Sequence, residues 1–600
     1  MIQSLRYIRI NIKIFIKKIV AILYTKIELK TFVIISSLIV GVFSGLASAL
    51  LKNAVHFLEV EPKLYFNHLG IGFLLPLFPL IGIILSVLVV VLIFNGKLSK
   101  GISNVIYSIM RKASDIPKED ILSHYITSGL SVGFGGSAGL EAPIVITGAA
   151  IGSNFAKELK FNYRLRTILL ASGSAAGISA IFNSPIAGVI FAVEVLLPEF
   201  SIPSFIPLLI ASASAAVVSK FLYSGQIFYL ITEGWVIKAV PFYIILGILC
   251  GVISLYNIKA TFFIEDFFEK LGKRHLKILI GGTLLCLMIV ILPPLYGEGY
   301  LSIKNLLEGQ FEKILPGFFI INFIDKNLLL LIVATLIIIT KVIATALTTG
   351  SGGNGGIIAP SLFTGAFTGF SLAHLMSYLN IIQLNHSNFI VVGMAGILSG
   401  VLHAPLTGIF LIAEITGGYT LIVPLMIVTA LSYFISRHFH PESIYTAPLV
   451  KRGVKFRSEK ERYFIRQMKV RDIMEEDFVT IQPTITLREI VNKVIHSKRN
   501  LFPVVDENGM LVGIITLDDI REVMLNTDIY DVILAYEIMN TNFHSIDIDA
   551  DLINALDKLE MDNVWNISVI DKGKYRGFIS KSNIFNEYLS SWTKHQAEEI

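Results

Sequence analysis

The sequence has almost no cysteine, two residues in 600, and little tryptophan, three, and only 16% of it is Asp, Glu, Lys or Arg. Cys250 and Cys286 each sit in an apolar helix-like run, so neither a disulfide framework nor a cysteine metal site is implied. The net charge of +5 is small for this length. No block of Lys and Arg is interleaved with aromatics, so nucleic acid is set aside as a partner. The apolar region also lacks a nucleophile with its base or a set of metal ligands, which argues against a membrane-bound enzyme and against any required cofactor.

What fills the chain instead is apolar side chain, 54% of residues with a mean hydropathy of +0.70, beyond the range of ordinary soluble domains. Residues 31–51, 71–94, 328–347 and 415–435 each reach the roughly 20 residues that cross a bilayer. Arg6, Arg9, Lys13, Lys17, Lys18, Lys26 and Lys30 recur through residues 1–30. That pattern predicts a basic amphipathic helix on the cytoplasmic face rather than a cleaved signal, whose apolar core tolerates no such charges. After Lys451 the composition turns polar.

The membrane region repeats itself. Residues 135–149 read GGSAGLEAPIVITGA and residues 352–366 read GGNGGIIAPSLFTGA, an offset of 217. Downstream, residues 182–195 (FNSPIAGVIFAVEV) match 402–415 (LHAPLTGIFLIAEI), an offset of 220. Each glycine-rich stretch runs into Ala-Pro and an apolar helix, which predicts helix starts near Ala142 and Ala359 with proline in the first turn. Interrupted helices at matching places in two halves point to a transport site at the bilayer midplane.

A helix start carries unpaired N–H groups and about half a positive charge, so several aimed at one point hold an anion without a full cation. Read singly, such segments are glycine-mediated helix crossings; their recurrence favours a site. Glu141 has no acidic counterpart, since Ile358 stands at its place in the second copy. An ionisable group at membrane depth is a functional candidate: its carboxylate would fill the anion site when charged and swing away when protonated. The plainer alternative is a glutamate satisfied by a neighbouring Arg or Lys.

These segments resemble the motifs of the CLC chloride channel and transporter family. Gly139-Leu-Glu-Ala-Pro is similar to its gating-glutamate motif, Gly356-Ile-Ile-Ala-Pro to its second pore motif, and Ser99-Lys-Gly-Ile-Ser to its first. Tyr445, in Ser443-Ile-Tyr-Thr-Ala-Pro, stands where that family places an anion-binding tyrosine. The resemblance implies that Glu141 is the outer gate. It also implies that the anion, chloride above all, is bound by backbone at Gly101 and Ile102, by the amides of Ile357 and Ile358 and by the Tyr445 hydroxyl. It implies a homodimer with one pore per subunit.

Two departures from that pattern stand out. Lys100 replaces the serine of the first motif; pointing inward it strengthens anion binding, and snorkelling to the interface it leaves only backbone amides. Val195 stands where exchangers of the family carry an inner glutamate. Valine relays no proton, so a voltage- or pH-gated passive channel is favoured, with a proton-coupled exchanger as the alternative if Glu194 or water substitutes. A cation transporter regulated through the tail is a further reading, weakened because Glu141, Glu194 and Glu414 are too few and too separated to line a cation path. Glu194 is matched by Glu414 in the second half, which argues first for a shared structural role.

The tail holds a third repeat, with a period of about 65: Asp472-Ile-Met, Phe502-Pro-Val-Val-Asp506 and Gly513-Ile-Ile-Thr-Leu-Asp-Asp recur as Glu537-Ile-Met, Ile567-Ser-Val-Ile-Asp571 and Gly577-Phe-Ile-Ser-Lys-Ser-Asn. Alternating strands over 501–505 and 511–516 followed by a helix predict a small α/β unit used twice. The unit resembles a CBS domain. The resemblance implies adenine nucleotide (ATP, ADP or AMP) at Thr516 and Asp519, and a weaker second site at Ser580, where Asn583 replaces the acid; a tail used only for dimer contact is the alternative.

The expected fold is therefore an all-α polytopic membrane protein of two inverted-topology helical repeats with broken helices, plus an α/β cytoplasmic CBS pair. The expected divisions are 1–30, 31–450 (halves 31–225 and 240–450), a linker 451–465, and CBS units 466–530 and 531–595. Both termini are expected in the cytoplasm of an inner or plasma membrane.

Overall fold

The computed structural model describes residues 28–68, 72–96, 98–99, 101–197, 202–223, 234–315, 325–452, 468–525, 529–562 and 564–587. The expected basic helix over 1–30 lies almost wholly outside the described residues, as do Lys100 and nearly all of the linker. The chain forms two compact units, Met1–Arg452 and Gly453–Ile600.

The first unit is helical. Its helices are α1 (Leu29–His68), α2 (Phe78–Leu92), α3 (Gly101–Arg111), α4 (Asp120–Gly133), α5 (Glu141–Glu158), α6 (Tyr163–Phe182), α7 (Pro185–Phe191), α8 (Ile202–Leu222) and α9 (Val240–Lys270). They continue as α10 (Arg274–Ile291), α11 (Tyr300–Leu307), α12 (Lys326–Gly350), α13 (Ile358–Tyr378), α14 (His386–Leu402), α15 (Pro405–Ile415), α16 (Ile422–Phe439) and α17 (Ala447–Lys451). Among the described residues, eight helices are long and apolar enough to cross a membrane.

The repeated stretches begin helices one residue earlier than expected, at Glu141 and Ile358. Each proline is thus the third helical residue, which removes no hydrogen bond because the first four N–H groups have no intrahelical acceptor. Residues 415–435 do not form one span. They break at Gly417, whose φ of +72° lies in the left-handed region, between the short α15 and the 18-residue α16.

The two halves pack by the same contacts. A Cβ at Gly148 would stand 2.1 Å from the Gly173 carbonyl, and one at Gly173 2.0 Å from the Gly148 carbonyl. In the second half Gly365 and Gly393 exclude each other's Cβ alike, at 2.4 Å both ways. α5 on α6 and α13 on α14 are therefore backbone-to-backbone crossings that only glycine permits. Asn183 and His403, at matching places, both end their helices in the left-handed conformation, φ +57°.

The second unit holds α18 (Val470–Ile473), α19 (Leu487–Ile495), β1 (Leu501–Val505), β2 (Leu511–Thr516), α20 (Leu517–Val523), α21 (Ala535–Ile538), β3 (Ser545–Asp547), α22 (Leu552–Met561), β4 (Asn566–Asp571) and β5 (Lys574–Ser580). β1 pairs antiparallel with β2; β4 lies between parallel β3 and antiparallel β5. The copies exchange their leading segments. Glu475 bridges to Phe578 and Asn540 to Ile514 by paired backbone bonds of 2.7–3.0 Å, so Val470 and Ile473 complete the second core while Ala535 completes the first.

Candidate functional site

The two glycine-rich loops meet directly. Gly139 N–H donates to the Gly356 carbonyl at 2.9 Å and Gly356 N–H to the Gly139 carbonyl at 2.6 Å, an antiparallel bridge between residues 217 apart. No side chain fits there: a Cβ on Gly139 would stand 2.8 Å from Ala359 Cβ, and one on Gly356 2.8 Å from Ala142 Cβ. The bridge therefore brings the starts of α5 and α13 to one point, where their exposed amides and dipoles add.

Glu141, the first residue of α5, is 1% exposed. Its carboxylate folds back over its own helix start, with Oε2 only 2.0 Å from where a Gly139 Cβ would be. Oε1 accepts a 2.6 Å hydrogen bond from the Tyr300 hydroxyl. The carboxylate also faces the amides of Glu141 itself and of Ala359, and Oε2 completes no hydrogen bond among the described residues. From α13 the amide of Ala359, next to the expected Ile357 and Ile358, faces the carboxylate. The reason is helical: Ile357 caps α13, and an oxygen at a helix start reaches the second or third N–H.

Tyr445 is 5% exposed, within electrostatic reach of Glu141, and its hydroxyl has no hydrogen-bond partner among the described residues. Glu141, Ile357, Ile358 and Tyr445 are therefore brought together. Gly101 opens α3 at φ +68° with open space beside it, and Ile102 is buried. Ser99, just before them, donates to Asp120 Oδ2 at 2.7 Å and lies 3.0 Å from His124 Nε2; His124 Nδ1 lies 3.1 Å from Asn354 Nδ2. The first motif is thereby tied to the second glycine-rich loop.

Glu194 and Val195 lie elsewhere. Glu194 accepts from the amides of Leu406 and Thr407 at 3.1 and 2.8 Å, while Glu414 accepts from those of Ile186 and Ala187 at 3.0 and 2.8 Å. Each half caps the other's short helix, so the two acids hold the repeats together. Val195 is half-buried in a π-turn, Ala192–Leu196.

Sequence reading passed over a second ionisable group beside Glu141. Glu298 Oε1 accepts from Leu140 N–H, the amide just before the gate, at 3.1 Å. Lys341, 0% exposed in the middle of apolar α12, donates to the Gly297 carbonyl at 2.8 Å and stands 4.8 Å over the Phe363 ring. Lys52 of α1 donates to the Ala180 carbonyl at 3.0 Å and faces both glutamates. A lysine inside an apolar helix and an acid between two glycines were the available signals.

In the tail, Asp519 Oδ2 accepts from the amide and hydroxyl of Thr516, both at 2.7 Å, closing a capping box on α20. In the second copy Ser580 Oγ accepts from Asn583 N–H at 3.1 Å, the same cap without the charge.

Comparisons with known proteins place the chain in a family. The "Voltage gated chloride channel" family profile matches residues 81–437, and the CBS domain profile matches 470–526 and 535–590. A relative, "Chloride channel protein CLC-f" of Arabidopsis thaliana, is 26% identical over 67% of this chain and 57% of its own length, so the match spans less than two thirds of that plant protein. "H(+)/Cl(-) exchange transporter ClcA" of Vibrio vulnificus is 30% identical over 65% of this chain and 83% of its own. A solved slow cyanobacterial Cl−/H+ antiporter superposes with a TM-score of 0.61 at 22% identity, covering 71% of this chain and 99% of that one. The chain belongs to the CLC chloride channel and transporter family and carries two CBS domains in its tail.

Proposed function

We propose that the protein exchanges chloride for protons across a membrane, with Glu141 as the group that both anion and proton engage. One observation carries the reading: the Glu141 carboxylate lies where the helix starts joined by the Gly139–Gly356 bridge converge. An ionised carboxylate there mimics a bound anion. Protonation removes its charge, weakens its hold on the amides and yields the place to chloride. The Tyr445 hydroxyl supplies a further donor to the anion, with the backbone at Ile357, Ile358, Gly101 and Ile102; Lys100, of the first motif, is a further candidate partner of the anion.

Val195 taken alone favours a passive channel. The relatives named above as an exchange transporter and an antiporter support coupling instead, and a proton can reach Glu141 from the inner side through water. Glu194 does not take that part, because its oxygens cap α15. A chloride gradient imposed on proteoliposomes should drive protons uphill in the opposite direction; chloride flux with a still pH electrode returns the reading to a channel.

The remaining parts follow the family. The protein is a homodimer with one pore per subunit, and both termini face the cytoplasm of an inner or plasma membrane. The tail binds adenine nucleotide at Thr516 and Asp519, with Ser580 at a weaker site, and adjusts transport. The Asp519 oxygen left over from the cap is a charged acceptor for ribose hydroxyls. ATP titrated into the full chain should bind more weakly to Asp519→Asn, which keeps the cap; equal affinity moves nucleotide away from this turn.

A further inference from the structure

Glu298 lies on a four-residue loop, 296–299, built to hold it. Gly297 and Gly299 on either side have φ of +66° and +94°, where other residues are strained. A Cβ at Gly299 would stand 2.3 Å from the Phe363 ring. Gly297 N–H donates to the Gly135 carbonyl at 3.0 Å, tying the loop to the first glycine-rich stretch. A bound anion would take Leu140 N–H at the start of α5; here Glu298 Oε1 takes it, at 3.1 Å. Tyr300, two residues on, donates to Glu141. One short loop therefore touches both sides of the gate.

The charges around this loop are unequal. Lys52 faces Glu298 and Glu141, and Lys341 faces Glu298 and Glu59. A third carboxyl, Glu59, also faces Glu298, and the remaining facing groups are phenols: Tyr223 and Tyr300 face Glu298, and Tyr300 and Tyr445 face Glu141. Tyr296 faces Glu59. Three carboxyls thus share two ammonium groups; both ammoniums face Glu298, and one faces Glu141. Three carboxyls with two cations among them do not all ionise readily, and the one that both cations face keeps the charge.

We propose that Glu298 is a fixed negative charge that sets the pH at which Glu141 takes up its proton, with Tyr300 as an opposing latch that holds the ionised Glu141. Both are positioning residues, and the assignment rests on Glu141 being the gate. The two act with opposite sign. Ionised Glu298 repels a second negative charge and favours proton uptake on Glu141. The Tyr300 hydroxyl, donating to the carboxylate, favours the ionised form.

The test is chloride flux from proteoliposomes across external pH, with Glu298→Gln, Glu298→Asp and Tyr300→Phe, each alone and in a Glu141→Gln background. Glu298→Gln keeps an acceptor for Leu140 N–H and removes the charge. It should move the activation midpoint to lower pH by about one unit, and Glu298→Asp should restore it. Tyr300→Phe should move the midpoint to higher pH. With Glu141→Gln, neither should change the profile. Unmoved midpoints, shifts of the same sign, or shifts that persist with Glu141→Gln overturn the proposal. Should Glu298→Gln fail to fold, Tyr300→Phe alone decides: a midpoint that stays or falls overturns the latch. Failure of the gate reading looks different, since Glu141→Gln by itself then retains the wild-type pH dependence.

Discussion

At the scale of single residues, Glu141 works by geometry that its neighbours leave no room to vary. Its carboxylate lies where a Gly139 side chain would be, so Gly139→Ala should expel it and raise chloride flux at neutral pH; flux of wild-type pH dependence counts against that placement. Glu141→Gln should transport chloride without pH gating, and an unchanged pH profile removes Glu141 from its role. Tyr445→Phe loses one hydrogen bond to the anion, about 1 kcal/mol or some fivefold in half-saturating chloride, readable from flux against chloride concentration. Glu141 was legible in the sequence because its repeat partner is Ile358, an acid against an apolar residue. Glu298 and Tyr300 were not, because they have no repeat counterpart and reach Glu141 across 157 and 159 positions of chain. Lys341 was a missed signal: a cation at the middle of an apolar helix needs a partner, here the Gly297 carbonyl and the Phe363 ring.

At the scale of elements, the repeat was legible because two copies of one plan demand the same small residues where helices cross. Gly148 and Gly365 press on carbonyls, and Gly148→Leu should destabilise the α5–α6 pair by at least the 1–3 kcal/mol of ordinary overpacking, seen as a lower unfolding temperature in detergent. Hydropathy alone misread residues 415–435, since an apolar average does not register the glycine turn that parts α15 from α16. The exchange of caps between Glu194 and Glu414 was legible only as a coincidence of position. Its chemistry needed the fold, which places each carboxylate on two amides of the other half. Glu194→Gln should lose about 1–2 kcal/mol of stability yet keep proton coupling. Coupling lost with stability intact would instead give Glu194 a proton role.

At the scale of the whole molecule, two units with different solvents share one chain. The tail obeys ordinary aqueous electrostatics. Arg488 donates to both Asp531 oxygens at 2.7 and 2.8 Å, and this pairing holds the Asp531 carboxyl below its usual range. A group lowered on folding stabilises above its unfolded value, near pH 4, and that contribution disappears as pH falls through the folded value. Arg488→Ala should therefore reduce the acid sensitivity of hydrogen exchange in the tail of the full chain. The membrane unit obeys a different rule: charge is tolerated only where helix starts, lysines and hydroxyls answer it, and those answers converge beside the Gly139–Gly356 bridge. A density map of wild type and Glu141→Gln in bromide tests that convergence most directly. A halide should appear at the place of the carboxylate in the variant, within reach of the Ala359 amide, and be absent there in wild type with Glu141 ionised. A variant with no halide at that point, or a wild type holding halide and carboxylate there together, contradicts the account.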